Sequence, residues 1–201
     1  RKIIYYPYVS SYYITDVLEA LRDMGVKVHM LIRCIDDFLS PYIVYLMYLI
    51  QSGRITLPKE VSVFLREQLE FALYRLDSTE KIVKAGINLK VDLGPNDTAQ
   101  SRLHAKIYVN DDYALIGSSN LTKTGVIRGG NWECLLLVTK DDHSYEKVLN
   151  YAKHFYDRGY DYSQCEIRTL KMINKYLEKY GIIIYDMYDL KCTLRETLYK
   201  L

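Results

Sequence analysis

The spacing of apolar and polar residues predicts strands and helices in alternation from the start of the chain. Two β-branched runs, 2–8 (KIIYYPY) and 26–32 (VKVHMLI), predict strands. Between them the amphipathic stretch 17–24, closed by Gly25, predicts a helix. Because a strand, a helix and a strand in succession form a βαβ unit, we expect the two strands to be parallel.

The rest of the chain continues this alternation. Helical periodicity covers 41–52, 60–85, 142–158, 165–180 and 190–201, and strand patterns cover 87–92, 103–109, 113–117, 132–139 and 182–185. No internal repeat or linker-like stretch interrupts it. We therefore predict an α/β fold with a mixed, largely parallel β-sheet flanked by helices on both faces, in a single domain over 1–201.

Composition and charge narrow the class of protein. Apolar residues make up 49% and charged residues 26%, which fits a globular protein and excludes a disordered chain. With 27 Lys and Arg against 25 Asp and Glu, the net charge of +2 favours no partner, so any basic patch must be local. Tyrosine is abundant, at 21 residues, but tyrosine serves cores, interfaces and base stacking alike.

The cysteines and the apolar runs give information on the cellular compartment of the protein. Cys34, Cys134, Cys165 and Cys192 have neither zinc-site spacing nor the pattern of a secreted disulfide framework, which favours a cytoplasmic location. The longest apolar run, 42–50 (YIVYLMYLI), is shorter than the roughly 20 residues that span a bilayer, so it predicts a mostly buried helix and no stable membrane insertion.

One segment, 101–125 (SRLHAKIYVNDDYALIGSSNLTKTG), concentrates side chains suited to a phosphate. Alternate residues of a strand share a face, so Arg102, His104, Lys106 and Tyr108 are expected on one face and the apolar residues between them on the core face. An ammonium group neutralises an anionic phosphate, and an imidazole beside it can attack the phosphorus or transfer a proton.

The strands that follow add further polar groups. Gly117 permits close backbone approach, and Ser118 and Asn120 supply donors for phosphate oxygens. Glu133 lies at the start of another predicted strand, and a carboxylate bonded to an imidazole fixes its tautomer and stabilises its cation. Each pattern is weak alone, but together they would converge at one end of the sheet.

In chain order, the residues of this constellation are His104-Ala105-Lys106, Asp111, Gly117-Ser118-Ser119-Asn120 and Asn131-Trp132-Glu133. They closely resemble the HKD motif of the phospholipase D superfamily, HxKxxxxD followed by GSxN and a later acidic residue. The spacer between Asp111 and Gly117 is five residues, one shorter than in many members. A looser resemblance extends over about 1–140, whereas 141–201 carries no motif and is predicted to be helical.

The resemblance implies a phospholipase D-like α/β/α sandwich and a two-histidine mechanism. In this superfamily one histidine attacks the phosphodiester phosphorus, a second protonates the leaving oxygen, and water or an alcohol releases the phosphohistidine, without metal or other cofactor. This chain has one such motif, since His29, His143 and His154 lack a lysine two residues later. The resemblance therefore implies a homodimer that shares the active site about a two-fold axis.

The resemblance also implies a role for each motif residue. His104 is the nucleophile in one subunit and the general acid in the other, and Lys106 and Asn120 bind phosphate oxygens. Ser118 assists or orients, and Glu133 orients the histidine. The structural members of the motif are Asp111, at a turn, and Gly117.

The substrate is predicted less sharply than the chemistry. Arg102, Lys123 and Arg128 lie in or beside the motif and favour a nucleic acid, DNA foremost, which predicts a metal-independent endonuclease. Tyr108 is assigned to the core or an interface rather than to base stacking. A lipid phosphodiesterase or phosphatidyltransferase and a catalytically silent DNA-binding module stay open. Because the chain begins at Arg1 rather than Met, a longer protein with further domains stays open as well.

Overall fold

The computed structural model describes residues 2–5, 12–34, 39–93, 104–119 and 132–201. Its strands are β1 Lys2–Tyr5, β2 Val28–Arg33, β3 Asn88–Asp92, β4 Ile107–Val109, β5 Tyr113–Gly117, β6 Leu135–Thr139 and β7 Tyr160–Asp161. Its helices are α1 Tyr12–Asp23, α2 Pro41–Gln51, α3 Lys59–Lys84, α4 Tyr145–Asp157, α5 Tyr162–Leu177 and α6 Met187–Lys200, with a 3-10 turn at Glu178–Tyr180. The chain divides into two compact units, unit 1 over Arg1–Cys34 and Ser78–Tyr162 and unit 2 over Ile35–Asp77 and Ser163–Leu201.

Unit 1 contains a seven-stranded mixed sheet in the order β6-β5-β4-β1-β2-β3-β7. β2 pairs in parallel with both β1 and β3, which confirms the predicted βαβ unit and the mixed α/β class. The other four pairings are antiparallel, so the sheet is less parallel than expected. The difference arises because β4 and β5 are joined by a tight hairpin, which only antiparallel strands can form, and β6 folds back beside β5.

Both faces of the sheet are covered at β2. Leu31 belongs to a buried cluster that includes Ala114 of β5 and Ala152 of α4. Met30 and Ile32, which point to the opposite face, are buried as well, and α1 packs against β2. Burial on both faces explains why this strand is a nearly continuous apolar run.

Unit 2 is helical. Ser40 caps α2, and its hydroxyl accepts a hydrogen bond from the Ile43 N–H at 3.3 Å. The apolar run therefore forms the predicted helix, although Tyr42 at its start is exposed. The buried residues of α2 are Val44, Met47 and Ile50. At its end the Gln51 amide donates to the Thr193 carbonyl of α6 at 2.8 Å.

Within the described parts of the chain, every helix is too short or too polar to span a bilayer.

The cysteines differ from the expectation. In unit 1, Cys34 directly follows β2, is fully buried and is disulfide-bonded. In unit 2, Cys165 on α5 is likewise buried and disulfide-bonded. Cys134 and Cys192 carry free thiols. The cysteine pattern therefore gives no support to the reducing compartment that the sequence analysis favoured.

The predicted strand at 182–185 is wrong, because a side chain rather than a strand satisfies its backbone. The amide nitrogen of Asn174 donates to the Ile184 carbonyl at 2.7 Å, and the amide oxygen accepts from the Ile184 N–H at 2.8 Å. An asparagine amide offers the same donor and acceptor as a neighbouring strand, so the backbone of Ile184 is buried without joining a sheet. The short strand β7, by contrast, has too few residues to show a periodic signal.

We predict that Asn174→Ala lowers the free energy of unfolding by about 1–3 kcal/mol. The substitution leaves the backbone N–H and carbonyl of Ile184 without their hydrogen-bond partner, and Ile184 is only 5% exposed. Urea denaturation followed by circular dichroism measures the change. Asn150→Ala, at an exposed position of α4, is the matched control and should stay within about 0.5 kcal/mol of wild type. Equal stability of Asn174→Ala and wild type would show that water replaces the amide.

Candidate active site

Several strand ends meet at one edge of the sheet in unit 1. Tyr5 at the end of β1 pairs with Leu31 of β2 and with Ile107 of β4, so the carboxyl ends of β1 and β2 and the amino end of β4 share this edge. β5 runs antiparallel to β4, and its last residue, Gly117, lies opposite Leu135 at the start of β6. The topology therefore brings the segments around His104, Ser118 and Glu133 to the same edge.

His104 and Lys106 directly precede β4. This strand begins at Ile107, later than the predicted start at 103. His104 is exposed, whereas Lys106 is 5% exposed. The Lys106 ammonium nitrogen lies 2.9 Å from Nδ1 and 3.0 Å from Nε2 of His104, and it donates to the His104 carbonyl at 2.8 Å. The two side chains thus form one imidazole–ammonium pair.

Nearby positive charge favours the neutral form of His104. The Lys106 ammonium lowers the pKa of the imidazole below its ordinary value of 6.5, and partial burial and the charge of Arg33 lower it further. Burial also lowers the pKa of Lys106, against the raising effect of Glu133, and Arg33 adds to the lowering. A neutral imidazole keeps the lone pair that a nucleophile or general base needs.

A hydrogen-bonded junction joins the ends of β5 and β6. The Ser118 hydroxyl donates to the Glu133 carboxylate at 2.5 Å and accepts from the Cys134 N–H at 3.0 Å, while the Ser118 N–H donates to the Cys134 carbonyl at 3.0 Å. A Cβ at Gly117 would lie 1.9 Å from that carbonyl oxygen, so the approach requires glycine. Within this chain the Glu133 carboxylate is therefore bound to the serine, not to His104.

Most of the other predicted site residues belong to segments that the structure does not describe. Asn120, Arg102, Lys123 and Arg128 lie outside the described residues. The hydroxyl of half-buried Tyr108 donates to the Ser119 carbonyl at 2.8 Å, a contact that holds the backbone next to Ser118. Within the described ranges, no three or more His, Cys, Asp or Glu side chains group as metal ligands.

Asp111 lies at the opposite edge of the sheet from His104. It occupies the turn between β4 and β5, where the Asn110 side chain accepts from the backbone N–H groups of Asp112 and Tyr113 at 2.8 Å. It lines a cavity of about 610 Å³ together with His29 at the start of β2. Asp111 therefore belongs to a structural turn of the hairpin, away from the imidazole–ammonium pair.

Two features of the site edge escaped the sequence analysis. Arg33, the last residue of β2, acts electrostatically on both His104 and Lys106. Its signal in the sequence is a basic residue that ends an apolar strand of the βαβ unit. The second feature is apolar, because Trp132 is fully exposed beside Glu133. The exposed apolar residues of the edge strand β6 that follow it are Leu135, Leu136 and Leu137.

The fold and the site together define the class of protein. A mixed α/β sheet presents a histidine–lysine pair and a serine-bound glutamate at one edge, in the order of the HKD motif. The chain belongs to the phospholipase D-like family, since the family model described as "Cardiolipin synthase, PLD-like domain" matches residues 1–157. Members of this superfamily are phosphodiesterases. No curated protein matches the chain.

Two solved structures are similar to the chain. The phospholipase D family member Nuc from Salmonella typhimurium is 18% identical, with 81% of this chain and 80% of that chain covered and a TM-score of 0.48. NucT from Helicobacter pylori is also 18% identical, with 78% and 76% covered and a TM-score of 0.42. The family assignment rests on the sequence match rather than on these two likenesses.

We predict that the imidazole of His104 titrates below 6.5 and that Lys106→Met raises its pKa, because the ammonium is the largest cause of the lowering. NMR titration of the imidazole ring protons measures both. Since the unfolded chain is protonated first on acidification, the stability contribution of His104 is full above pH 6.5 and decreases as the pH falls toward the folded-state pKa. Lys84→Met, at an exposed position, is the control and should leave the titration unchanged. A wild-type midpoint at or above 6.5 would contradict the geometry.

Proposed function

We propose that this protein is a metal-independent phosphodiesterase that cleaves nucleic acid through a phosphohistidine intermediate, with the active site shared across a homodimer. The single observation that carries the proposal is the pairing of His104, whose pKa the neighbouring cations lower, with a nearly buried Lys106 at the sheet edge. This pair combines a nucleophile with a fixed positive charge, which are the two groups that attack on a phosphodiester anion requires.

In the proposed reaction, the His104 imidazole of one protomer attacks the phosphorus and forms a phosphorus–nitrogen bond. The bond from phosphorus to the leaving oxygen breaks, and the protonated His104 of the partner supplies the proton to that oxygen. The partner imidazole, now neutral, then takes a proton from water, which attacks the phosphorus and releases the first histidine. Lys106 and Asn120 hold the non-bridging oxygens throughout, and the Ser118–Glu133 pair orients the surrounding groups.

The dimer follows from the number of imidazoles that this reaction needs. The chain has four histidines, and only His104 lies at the site edge. His29 lines the cavity at the opposite edge of the sheet. His143 is exposed just before α4, and His154 is exposed on α4. A second copy of the chain is therefore the source of the second imidazole. Its two-fold symmetry gives both histidines the same surroundings.

Nucleic acid is proposed as the substrate because cationic residues surround the motif in the sequence. Arg102 precedes His104, and Lys123 and Arg128 follow Asn120. Contacts to a polyanionic backbone need lysine and arginine near the scissile phosphate. We place DNA first among the substrates to be tested.

We expect the wild-type protein to cleave labelled single- or double-stranded DNA in excess EDTA, and His104→Ala to cleave at least about 1000-fold more slowly, because the nucleophile and the general acid are both lost. Gel analysis of the products measures the rates. His143→Ala, which removes an exposed histidine, is the matched control and should keep the wild-type rate. Strict dependence of cleavage on Mg²⁺ would contradict the metal-independent mechanism. DNA binding without cleavage by either protein would favour a catalytically silent binding module.

Mixed dimers test the shared site. We expect that wild-type protein, allowed to exchange subunits with about a ninefold excess of His104→Ala, loses about tenfold in activity per wild-type chain, because a mixed dimer keeps only one of the two imidazoles. The same excess of His143→Ala should cause no loss. If the activity per wild-type chain stays constant with His104→Ala present, each chain acts alone and the dimeric site is wrong.

A specific observation also favours a lipid substrate. Trp132 and the three leucines of β6 are exposed apolar residues close to Glu133 in the chain, and exposed apolar side chains suit contact with a lipid surface. The family model that matches the chain carries the description of a cardiolipin synthase. Release or transfer of a headgroup from phosphatidylglycerol vesicles, lost in His104→Ala and accompanied by no DNA cleavage, would select this second function.

A further inference from the structure

We propose that Arg33 is a phosphate-binding residue of this site and that it holds a non-bridging oxygen of the scissile phosphodiester from the β2 side, across from Lys106. The inference rests on the proposed function and names a contact to the substrate that the motif does not contain.

The sheet register places Arg33 at the same edge of the sheet as His104 and Lys106. β1 lies between β2 and β4, and its last residue, Tyr5, pairs with Leu31 on one side and Ile107 on the other. Arg33 follows Leu31 by two residues toward the site edge, and the 104–106 segment leaves Ile107 toward the same edge. The two segments flank the end of β1, about 10 Å apart at two strand spacings. Because the charge of Arg33 acts on both His104 and Lys106, its side chain lies near enough to the 104–106 segment to reach a phosphate that Lys106 also contacts.

The charges around this gap favour an anion between the two cations. Arg33 is half-buried, and its charge acts on both Lys106 and His104. Among the described residues, the charges that act on Lys106 are those of Arg33 on β2 and Glu133 before β6, and Asp92 of β3 lies opposite Arg33 in the register. Glu133 is bound to the Ser118 hydroxyl. Because the two cations repel each other, a phosphate that contacts both relieves the repulsion.

The chemistry of arginine complements that of the lysine. Burial lowers the pKa of Lys106, and an ammonium group offers phosphate a point charge without a fixed plane of donors. A guanidinium stays protonated at all working pH values and presents a planar pair of N–H donors that matches two phosphate oxygens. Arg33 thus supplies the site with a second positive charge and with paired donors whose orientation an ammonium group does not provide.

The test compares Arg33→Met and Arg33→Lys with Arg158→Met, a control that removes an exposed arginine whose side chain contacts the exposed His154 of α4. Three quantities are measured on folded dimer: kcat/KM for DNA, the pKa of His104 by NMR, and the affinity for inorganic phosphate from the shift of the His104 ring protons. Arg33→Met should lower kcat/KM by about 10- to 100-fold, weaken phosphate binding by about tenfold and raise the His104 pKa.

Arg33→Lys should restore the His104 pKa but only part of kcat/KM, because it returns the charge without the planar donors. It also serves as the second variant if Arg33→Met does not fold. Arg158→Met should match wild type in all three quantities. Wild-type phosphate binding and wild-type His104 pKa in Arg33→Met would overturn the proposal.

The readouts separate failure of this proposal from failure of the proposed function. If the wild-type protein cleaves no DNA, the phosphate titration and the His104 pKa still decide whether Arg33 belongs to an anion site. Loss of phosphate binding in Arg33→Met would then support the site with another phosphodiester substrate. Absence of any phosphate-dependent shift in wild type would overturn it. If DNA is cleaved and Arg33→Met keeps the wild-type kcat/KM, the proposed function stands and Arg33 has no part in it.

Discussion

The close approach of β5 and β6 at Gly117 is the constraint on which the rest of the site depends. Without a side chain at this position the Cys134 carbonyl comes near enough to accept the Ser118 N–H, and the Ser118 hydroxyl then bridges Cys134 and Glu133. One missing Cβ therefore allows the contact between the end of β5 and the start of β6 that holds Glu133, a carboxylate that acts on Lys106. A larger residue would have to separate the strands, and Glu133 would move with β6.

The position of Lys106 depends on the same sheet edge. Burying an ammonium group costs free energy unless other groups stabilise its charge. The Lys106 ammonium contacts the imidazole and the carbonyl of His104, and the negative charge of Glu133 also stabilises it. The effect of this burial is seen in the pKa values of both Lys106 and His104. The pKa of the lysine falls because of burial, and the pKa of the imidazole falls because of the lysine. The chemical state of His104 is therefore set by packing at the amino end of β4.

Much of this arrangement could be predicted because it is local in the sequence. Gly25 adopts φ 77° and closes α1, as its place after an amphipathic stretch indicates, and the βαβ unit follows from element order. Ser118 and Glu133 are close to each other because β5 and β6 are neighbouring strands. The motif order alone suggested this proximity, and the role of Glu133 in orienting the imidazole stays a prediction.

What could not be predicted depends on contacts between distant residues. The apolar run at 182–185 has the composition of a strand, and only the remote Asn174 amide makes a sheet unnecessary. The share of parallel pairing was overestimated because element order does not reveal on which side of β1 the hairpin of β4 and β5 is added. Arg33 was missed for the same reason, since 71 residues separate it from His104. Its effect on the site arises from the position of β1 between their strands.

The proposed reaction places a demand on this geometry that the free protein does not meet. Two identical histidines must act in opposite protonation states, yet Lys106 and Arg33 favour the neutral form of both. A bound phosphodiester supplies the missing asymmetry. Its negative charge offsets the two cations and so raises the proton affinity of the imidazoles, while formation of the phosphorus–nitrogen bond takes the lone pair of one of them. The other imidazole then holds the proton that the leaving oxygen needs. On this mechanism the substrate itself completes the acid–base pair, and the cations that bind the phosphate also keep the nucleophile neutral until it arrives.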